Sequence, residues 1–494
     1  MKTNSLDFDA QALREKILDL AMRGKLVPQD PNDEPASVLL DKIKTKKAEL
    51  IKEKKIKKTK SLPPITDEEK PFDIPDSWEW VRLGDIGTVA TGNTPSKRNL
   101  EFYGGNIPFV KPADIQIQEI NYNTEEYLSN IGEKKGRIAY KDDILITCIG
   151  NLGRNNVINK KVAYNQQINS ISPIIVNSEL IHYFMSSNFF VSSMYKWASA
   201  TTLPILNKTK LSRLIIPLPS LTEQKRIIVK IAQLFALLRK VETSTQQYAK
   251  LQTLLKSKVL DLAMRGKLVK QDPNDEPASE LLKKIKAEKA KLIKEKKIKK
   301  SKPLPPITDD EKPFDIPDSW EWVRLGDLVA PVEYAMADGP FGSNLKKADY
   351  TNQPEVRIVQ LSNIGENGWK DDNVKYTTFD HLKLIRRSEV FPGNIVIAKM
   401  MPAGRAILIP NKDKKYVLSS DAVKFIPSDL LNKQFLLNAI NSNVYRDQVN
   451  KKLQGTTRPR TSLKKLKNFV LPIPPIQEQK RILSKLSMLK QDLI

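Results

Sequence analysis

The chain has 494 residues and an ordinary hydrophobic content of 40%, which favours two or more globular domains over one enlarged core. A formal net charge of +25 points to a polyanionic partner, most often nucleic acid, while a single cysteine and two histidines exclude an internal disulfide framework and a thiolate zinc centre. No apolar run approaches the ~18 residues of a membrane span, and the opening "MKTNSLDFDA" lacks the charged-then-apolar form of a secretory leader, so a cytoplasmic protein without a membrane partner is expected.

The first predicted element is a helix, with Leu6, Ala10, Leu13, Ile17 and Leu20 at alternating three- and four-residue spacing. It runs into "LDLAMRGKLVPQDPNDEPAS", Leu18 to Ser37, and then into a basic stretch, Asp41 to Lys60, with ten lysines against three acids. Such a run reads either as a solvated helix face or tether, or as a direct phosphate contact. Next comes "PITDEEKPFDIPDSWEWVRLGDI", ending at Ile86.

Gly87 to Ala200 has short apolar runs broken by Gly, Asn and Pro, the pattern of a strand-rich α/β domain. Its candidate DNA-binding residues begin with Lys97 and Arg98 in "GNTPSKRN". "DDILITCIGN" predicts a strand with Cys148 as a packed thiol. After it, "GNLGRNN" is expected to be a glycine-flexible loop carrying Arg154, Asn155 and Asn156, and "NQQINS" adds Gln166 and Gln167. Arginine reads guanine, and asparagine or glutamine reads adenine, through paired hydrogen bonds in the major groove. Thr201 and Thr202 open "TTLPILNKTKLSRLIIPLPSLTEQKRI".

With Thr222 as the expected N-cap, Ile227, Ile231, Leu234, Leu238, Val241, Tyr248, Leu255, Val259 and Leu262 trace a coiled-coil seam to Gly266, a C′ glycine. At ~1.5 Å per residue the helix is ~65 Å long. The phrase of Leu18 to Ser37 then returns at Leu260 to Ser279, offset by 242, followed by a second basic stretch, Lys283 to Lys302, and "PITDDEKPFDIPDSWEWVRLGDL", ending at Leu328. The two basic stretches hold +16 of the net charge.

The second insert, Val329 to Gly455, shares little with the first beyond faint echoes such as "GNIVIA" for "DDILIT". It offers Asn344, Lys346 and Lys347 in "PFGSNLKKADY", Arg405 in "AGRA", and Thr456, Thr457, Arg458 and Arg460 in "GTTRPRTS". "TTRPRTSLKKLKNFVLPIPPIQEQKRI" repeats Thr201 to Ile227 at an offset of 255, and Ile482, Leu486, Leu489 and Leu493 resume the helical ladder. By these offsets the two termini together reproduce the central helix, with Ile494 and Met1 mapping to positions 239 and 243. The expected fold is therefore α+β: two α/β domains in a duplicated, pseudo-twofold frame, separated by two long antiparallel coiled-coil helices.

Catalytic chemistry is not evident. There is no phosphate-binding loop, no Asp or Asn before Pro-Pro-aromatic as an amino-methyltransferase would carry, and adjacent acids such as Asp142 and Asp143 or Asp371 and Asp372 are expected to point apart rather than to hold a metal. Two rival readings remain open, a fused enzyme with an unrecognised active site and a coiled-coil adaptor that binds DNA nonspecifically.

The doubled "RGKLV.QDPNDEPAS" and "IPDSWEWVRLGD", the helix starts "IPLPSLTEQKRI" and "LPIPPIQEQKRI", and signatures such as "GNTPSKRNLEFYGGNIPFVKPADI" and "DGPFGSNL" resemble the specificity subunits of Type I restriction-modification systems over nearly the whole chain. The resemblance implies target recognition domains at 76–220 and 318–475 and a central conserved helix at 221–266. It implies a second conserved helix built from 1–27 and 476–494, with basic linkers at 28–75 and 267–317. It implies no catalysis and no cofactor in this chain. It further implies double-stranded DNA as the ligand, two modification subunits that carry S-adenosylmethionine, and two restriction subunits that use ATP and magnesium.

Overall fold

Within each copy of the repeated phrase a glycine ends the helix for a reason visible in the backbone. The computed structural model describes residues 9–116, 119–199, 202–300 and 302–492. In it Gly24 and Gly266 both take φ +67°, and the amides of Lys25 and Lys267 close back on Leu20 and Leu262 carbonyls at 2.9 Å. A Cβ would lie 2.4 Å from Pro75 Cγ at Gly24 and 2.5 Å from Pro317 Cγ at Gly266. Gly24→Ala and Gly266→Ala are thus each expected to cost more than about 1 kcal/mol, read as a lowered urea midpoint.

The chain divides into two units, Met1–Gln246 and Gln247–Ile494. In the first, α1 (Ala10–Met22) is capped by the Asp9 carboxylate, and α2 (Ala36–Lys52) buries Ala36, Leu39 and Ile43 while most of its lysines stay in solvent. The strands that build its frame and sheets include β1 (Glu79–Arg82), β2 (Gly87–Thr91), β3 (Tyr103–Val110), β4 (Ile144–Thr147), β5 (Asn155–Val157), β6 (Val162–Tyr164), β7 (Ile168–Pro173) and β8 (Ile215–Leu218). Two helices, α3 (Ser178–Met185) and α4 (Asn188–Trp197), precede the long α5 (Leu221–Met264). An antiparallel sheet of order β2-β7-β4-β5 is covered on both faces. Ile144 and Ile146 pack with Phe184 and Phe190 of the helices, whereas Leu145 packs with Val110 and Tyr164 of a second sheet in which β3 and β6 pair parallel. Burial on both sides is why this strand reads as an unbroken apolar run.

The second unit repeats the plan with α6 (Ala278–Lys294), β9 (Glu321–Arg324), β10 (Met336–Asp338), β11 (Val356–Val359), β12 (Ile364–Gly365), β13 (Gly368–Trp369), β14 (Ile395–Ala398), β15 (Ala406–Leu408), β16 (Tyr416–Leu418) and β17 (Ala422–Phe425). It ends with α7 (Lys433–Asn441), α8 (Asn443–Lys451), β18 (Val470–Ile473) and α9 (Ile476–Asp492). Its antiparallel sheet runs β10-β17-β14-β15, and β11 pairs parallel with β16 in the other sheet. Ile395 and Ile397 face the helices while Val396 and Ala398 face that second sheet, so "DDILIT" and "GNIVIA" supply the same central strand.

The repeated phrases meet one another within each unit. Glu223, buried at the start of α5, accepts from Gln29 Nε2 at 2.5 Å and Trp78 Nε1 at 2.7 Å, and Arg226 pairs with Asp33 at 2.5 Å. Glu478 likewise accepts from Gln271 at 2.5 Å and Trp320 at 2.8 Å, and Arg481 pairs with Asp275 at 2.5 Å. Burial raises the pKa of both glutamates.

Two expectations about the helices change. Ser220, not Thr222, caps α5: its hydroxyl accepts from Glu223 N at 3.1 Å, while the Thr222 hydroxyl donates to Asp33 at 2.7 Å. On α1 the buried side chains include Leu18, Ala21 and Met22, because its last turns dock on the globular core rather than on a helix alone; Leu13 of the expected ladder is exposed. Arg14 pairs with Glu242 and Asp33 with Thr222 and Arg226, so α1 runs antiparallel to the first part of α5. Ile227 and Ile231 are buried, but Val241, Tyr248 and Leu255 along the middle of α5 are exposed. Leu6, Leu493 and the mapped ends Met1 and Ile494 lie outside the described residues.

Candidate nucleic-acid interface

In the first unit four loops converge at the end of β4. Cys148 N donates to Gln167 O at 2.8 Å, Leu206 N to Cys148 O at 2.9 Å, and Gly150 N to Pro204 O at 2.9 Å. Thr94 Oγ1 donates to Gln166 Oε1 at 2.7 Å. Loops 92–98, 148–154, 165–167 and 202–206 thereby share one edge. Gly153, at φ +89°, lets the turn lie against Val191 of α4, where a Cβ would stand 3.0 Å from Cγ2. A bridge between Ser199 and Ile205 makes a hairpin whose tip exposes Thr202 and Leu203.

The second unit builds the same edge from different residues. Lys399 N donates to Asp421 O, and Thr461 N to Lys399 O, both at 2.8 Å. Arg460 bridges to Met400 and Gln454, closing a hairpin that exposes Thr456, Thr457 and Arg458. Gly404, at φ +79°, approaches Val449 of α8 as Gly153 approaches Val191. Lys399 Nζ is held by Asp338 at 2.7 Å.

Arg98, Arg154, Gln166 and Thr202 are exposed on the first edge and Thr456, Thr457, Arg458 and Arg460 on the second, while Asn344, Lys346 and Lys347 are exposed on the segment that follows β10. Lys97 is exposed but paired with Glu126 at 2.7 Å, and the half-buried Gln167 accepts from Asn165 Nδ2 at 3.1 Å. Thr201 lies outside the described residues.

Asn155 and Asn156 are not on a loop. Pairing of Ile146 with Asn155 starts β5 directly after Arg154, and both asparagines are buried. Asn155 Nδ2 donates to Gly153 O at 3.0 Å and Ser186 Oγ at 3.2 Å, its Oδ1 meets His182 Nδ1 at 2.8 Å, and Asn156 Nδ2 donates to Gln116 O at 3.2 Å. Their side chains support the loop from inside the fold. Arg405 is likewise occupied, by Glu366. Burial pushes the Cys148 thiol up to about 12 and His182 down to about 4, so both are neutral packing groups near pH 7.

Sequence reasoning passed over the apolar members of these loops. Leu203, Phe341 and Met401 are 53%, 78% and 56% exposed beside the polar residues, and apolar side chains so placed suit a thymine methyl. Their only signal was position: each interrupts a Gly-, Thr- or Pro-rich turn.

The pattern of the Type I restriction modification DNA specificity domain matches residues 75–253 and again 317–494, one copy for each edge. The chain belongs to this family. It is 34% identical to the Type I restriction enzyme EcoAI specificity subunit of Escherichia coli, over 98% of this chain and 89% of that one. With the EcoEI specificity subunit of the same organism it shares 31% identity over 97% and 88%. A chain solved in work on complex assembly and conformational transition of the type I R-M system has the same fold, with TM-score 0.58 at 18% identity, covering 86% of this chain and 92% of that one. The protein is thus a DNA sequence-specificity subunit of a Type I restriction-modification system, with two loop edges on matching scaffolds. No helix among the described residues is long and apolar enough to cross a membrane.

Proposed function

We propose that each loop edge reads one half of a split, asymmetric DNA site. The observation that carries this is the pairing of a common scaffold with unlike side chains: Gln166 and Leu203 on the first edge stand where Ser420 and Arg458 stand on the second. Different donors and acceptors in one framework select different bases. In this reading the chain is a non-catalytic, cytoplasmic recognition subunit without a cofactor of its own. Two modification subunits bring S-adenosylmethionine, and restriction subunits bring ATP and magnesium. Single-molecule methylome sequencing of a host expressing the chain with its modification subunit should reveal an asymmetric bipartite motif. A contiguous or palindromic motif, or none, defeats the reading.

The basic segments have a different part. Lys54, Lys55, Lys57 and Lys58 are exposed beyond the end of α2, away from the reading loops in sequence and in contacts. Replacing all four with Gln should weaken specific and random duplex alike and lower the salt slope, with the motif unchanged. A changed motif would show that these lysines read bases.

A further inference from the structure

Two arginines of the second unit share one acid. Arg405, at the tip joining β14 to β15, donates from Nη2 to Glu366 Oε2, and Arg446 Nη1 on α8 lies 3.7 Å from Glu366 Oε1. The trio carries a net positive charge, and Nε of each arginine is buried without an acceptor. Glu366 sits on the two-residue turn between β12 and β13 with its side chain 65% exposed, while the arginine side chains are only 21% and 25% exposed. An acid so exposed holds its partner weakly. The Arg405 turn is tied to the loop edge by the bridge from Met400 to Arg460, and α8 leads through Lys451 into the hairpin of residues 454–460.

We propose that Arg405 and Arg446 clamp one backbone phosphate of DNA lying on the second edge, and that Glu366 fills the clamp as a tethered substitute until that phosphate displaces it. This rests on the reading of the edge as a DNA interface. A phosphodiester has one negative charge and two free oxygens, as a carboxylate has, so it suits the same pair of guanidinium forks without any bond being made or broken. It also arrives with DNA already anchored by other contacts, which the loose Glu366 pair cannot match. The first unit lacks the device. Arg154 is met instead by the Asn151 carboxamide, which, turned with its oxygen inward, accepts from its Nε and Nη2 at 3.2 Å. Arg446 stands three residues before Val449, which packs on Gly404; the matching position, three before Val191, is Asn188. Phosphate gating therefore belongs to one half of the site only.

The test is fluorescence anisotropy of the full chain on a duplex bearing its methylated site and on a random duplex, at several salt concentrations. Glu366→Gln should tighten both by ~3- to 10-fold without altering base preference, since it removes a competitor for a phosphate contact. Arg446→Ala should weaken both and make the salt slope shallower, and Arg405→Ala with Arg446→Ala should take it down by ~0.9, the share of one phosphate. In a chain carrying Arg405→Ala and Arg446→Ala together, Glu366→Gln should change nothing. If Glu366→Gln binds no tighter, or Arg446→Ala keeps the full slope, while the unaltered chain still prefers its site, the clamp is wrong and the DNA reading stands. If the unaltered chain prefers no site, both fall.

Discussion

Arg82→Ala and Arg324→Ala are each expected to cost about 3 to 5 kcal/mol of stability, the range for removing one partner of a buried ion pair. Arg82 is 2% exposed and binds three stretches of chain at once. Its Nε donates to Pro63 O at 2.7 Å, Nη2 to Pro64 O at 3.0 Å and Nη1 to Arg213 O at 2.6 Å, and both terminal nitrogens reach Glu69, at 3.1 and 2.8 Å. Arg324 repeats the set with Pro305, Pro306, Asn468 and Glu311. Alanine would strand the carbonyls of the proline strap and leave an acid facing them. Acid titration supplies a second signature. The guanidinium of Arg324 holds the Glu311 carboxyl down to about 2, against ~4.3 in an unfolded chain. A depressed carboxyl stabilises the fold fully above its unfolded pKa, and that contribution is lost as pH falls from ~4.3 towards 2. Urea unfolding at pH 7, 4 and 3 should show the unaltered protein losing part of its stability over the acid steps and Arg324→Ala losing less. Equal midpoints at pH 7 would refute the strap.

The frame was legible because its contacts run between repeated residues. Gln29 with Glu223 and Asp33 with Arg226 recur as Gln271 with Glu478 and Asp275 with Arg481, so the letters that had to stay together stayed together, twice. The central strand of each insert was legible from its apolar run. What sequence could not decide were choices made by distant partners. Ser220 and Thr222 are both plausible caps, and Asp33, 189 residues away from Thr222, takes one of them. Asn155 and Asn156 looked like loop residues because the onset of β5 depends on its register with β4, not on its own letters. Arg405 looked free because its acid lies 39 residues upstream on another hairpin.

Replacing Gly87 to Ala200 with the corresponding insert of another family member is expected to change one half of the methylated sequence and leave the other half as it was. The reason lies in how an insert is seated. Asn177 N donates to the Gln224 side chain at 3.1 Å in the first unit, and Asn432 N to Gln479 at 3.0 Å in the second, so unlike inserts dock on the frame through the same contact. The amides of Leu83 and Leu325 likewise close on Leu214 and Phe469 carbonyls at 3.0 Å, beside the β1–β8 and β9–β18 pairs that hold the ends of each insert together. None of these contacts uses a residue exposed on the loop edge, and therefore the edge can be exchanged without disturbing the seat. Each base pair no longer matched costs about 1 to 3 kcal/mol, roughly additively, so three lost pairs should reduce binding to the old half by about 10²- to 10⁶-fold. Methylome sequencing of cells carrying the exchanged chain reads both halves at once. A motif altered in both halves would mean that the inserts cooperate in reading, and an unaltered motif would mean that the bases are read by the frame.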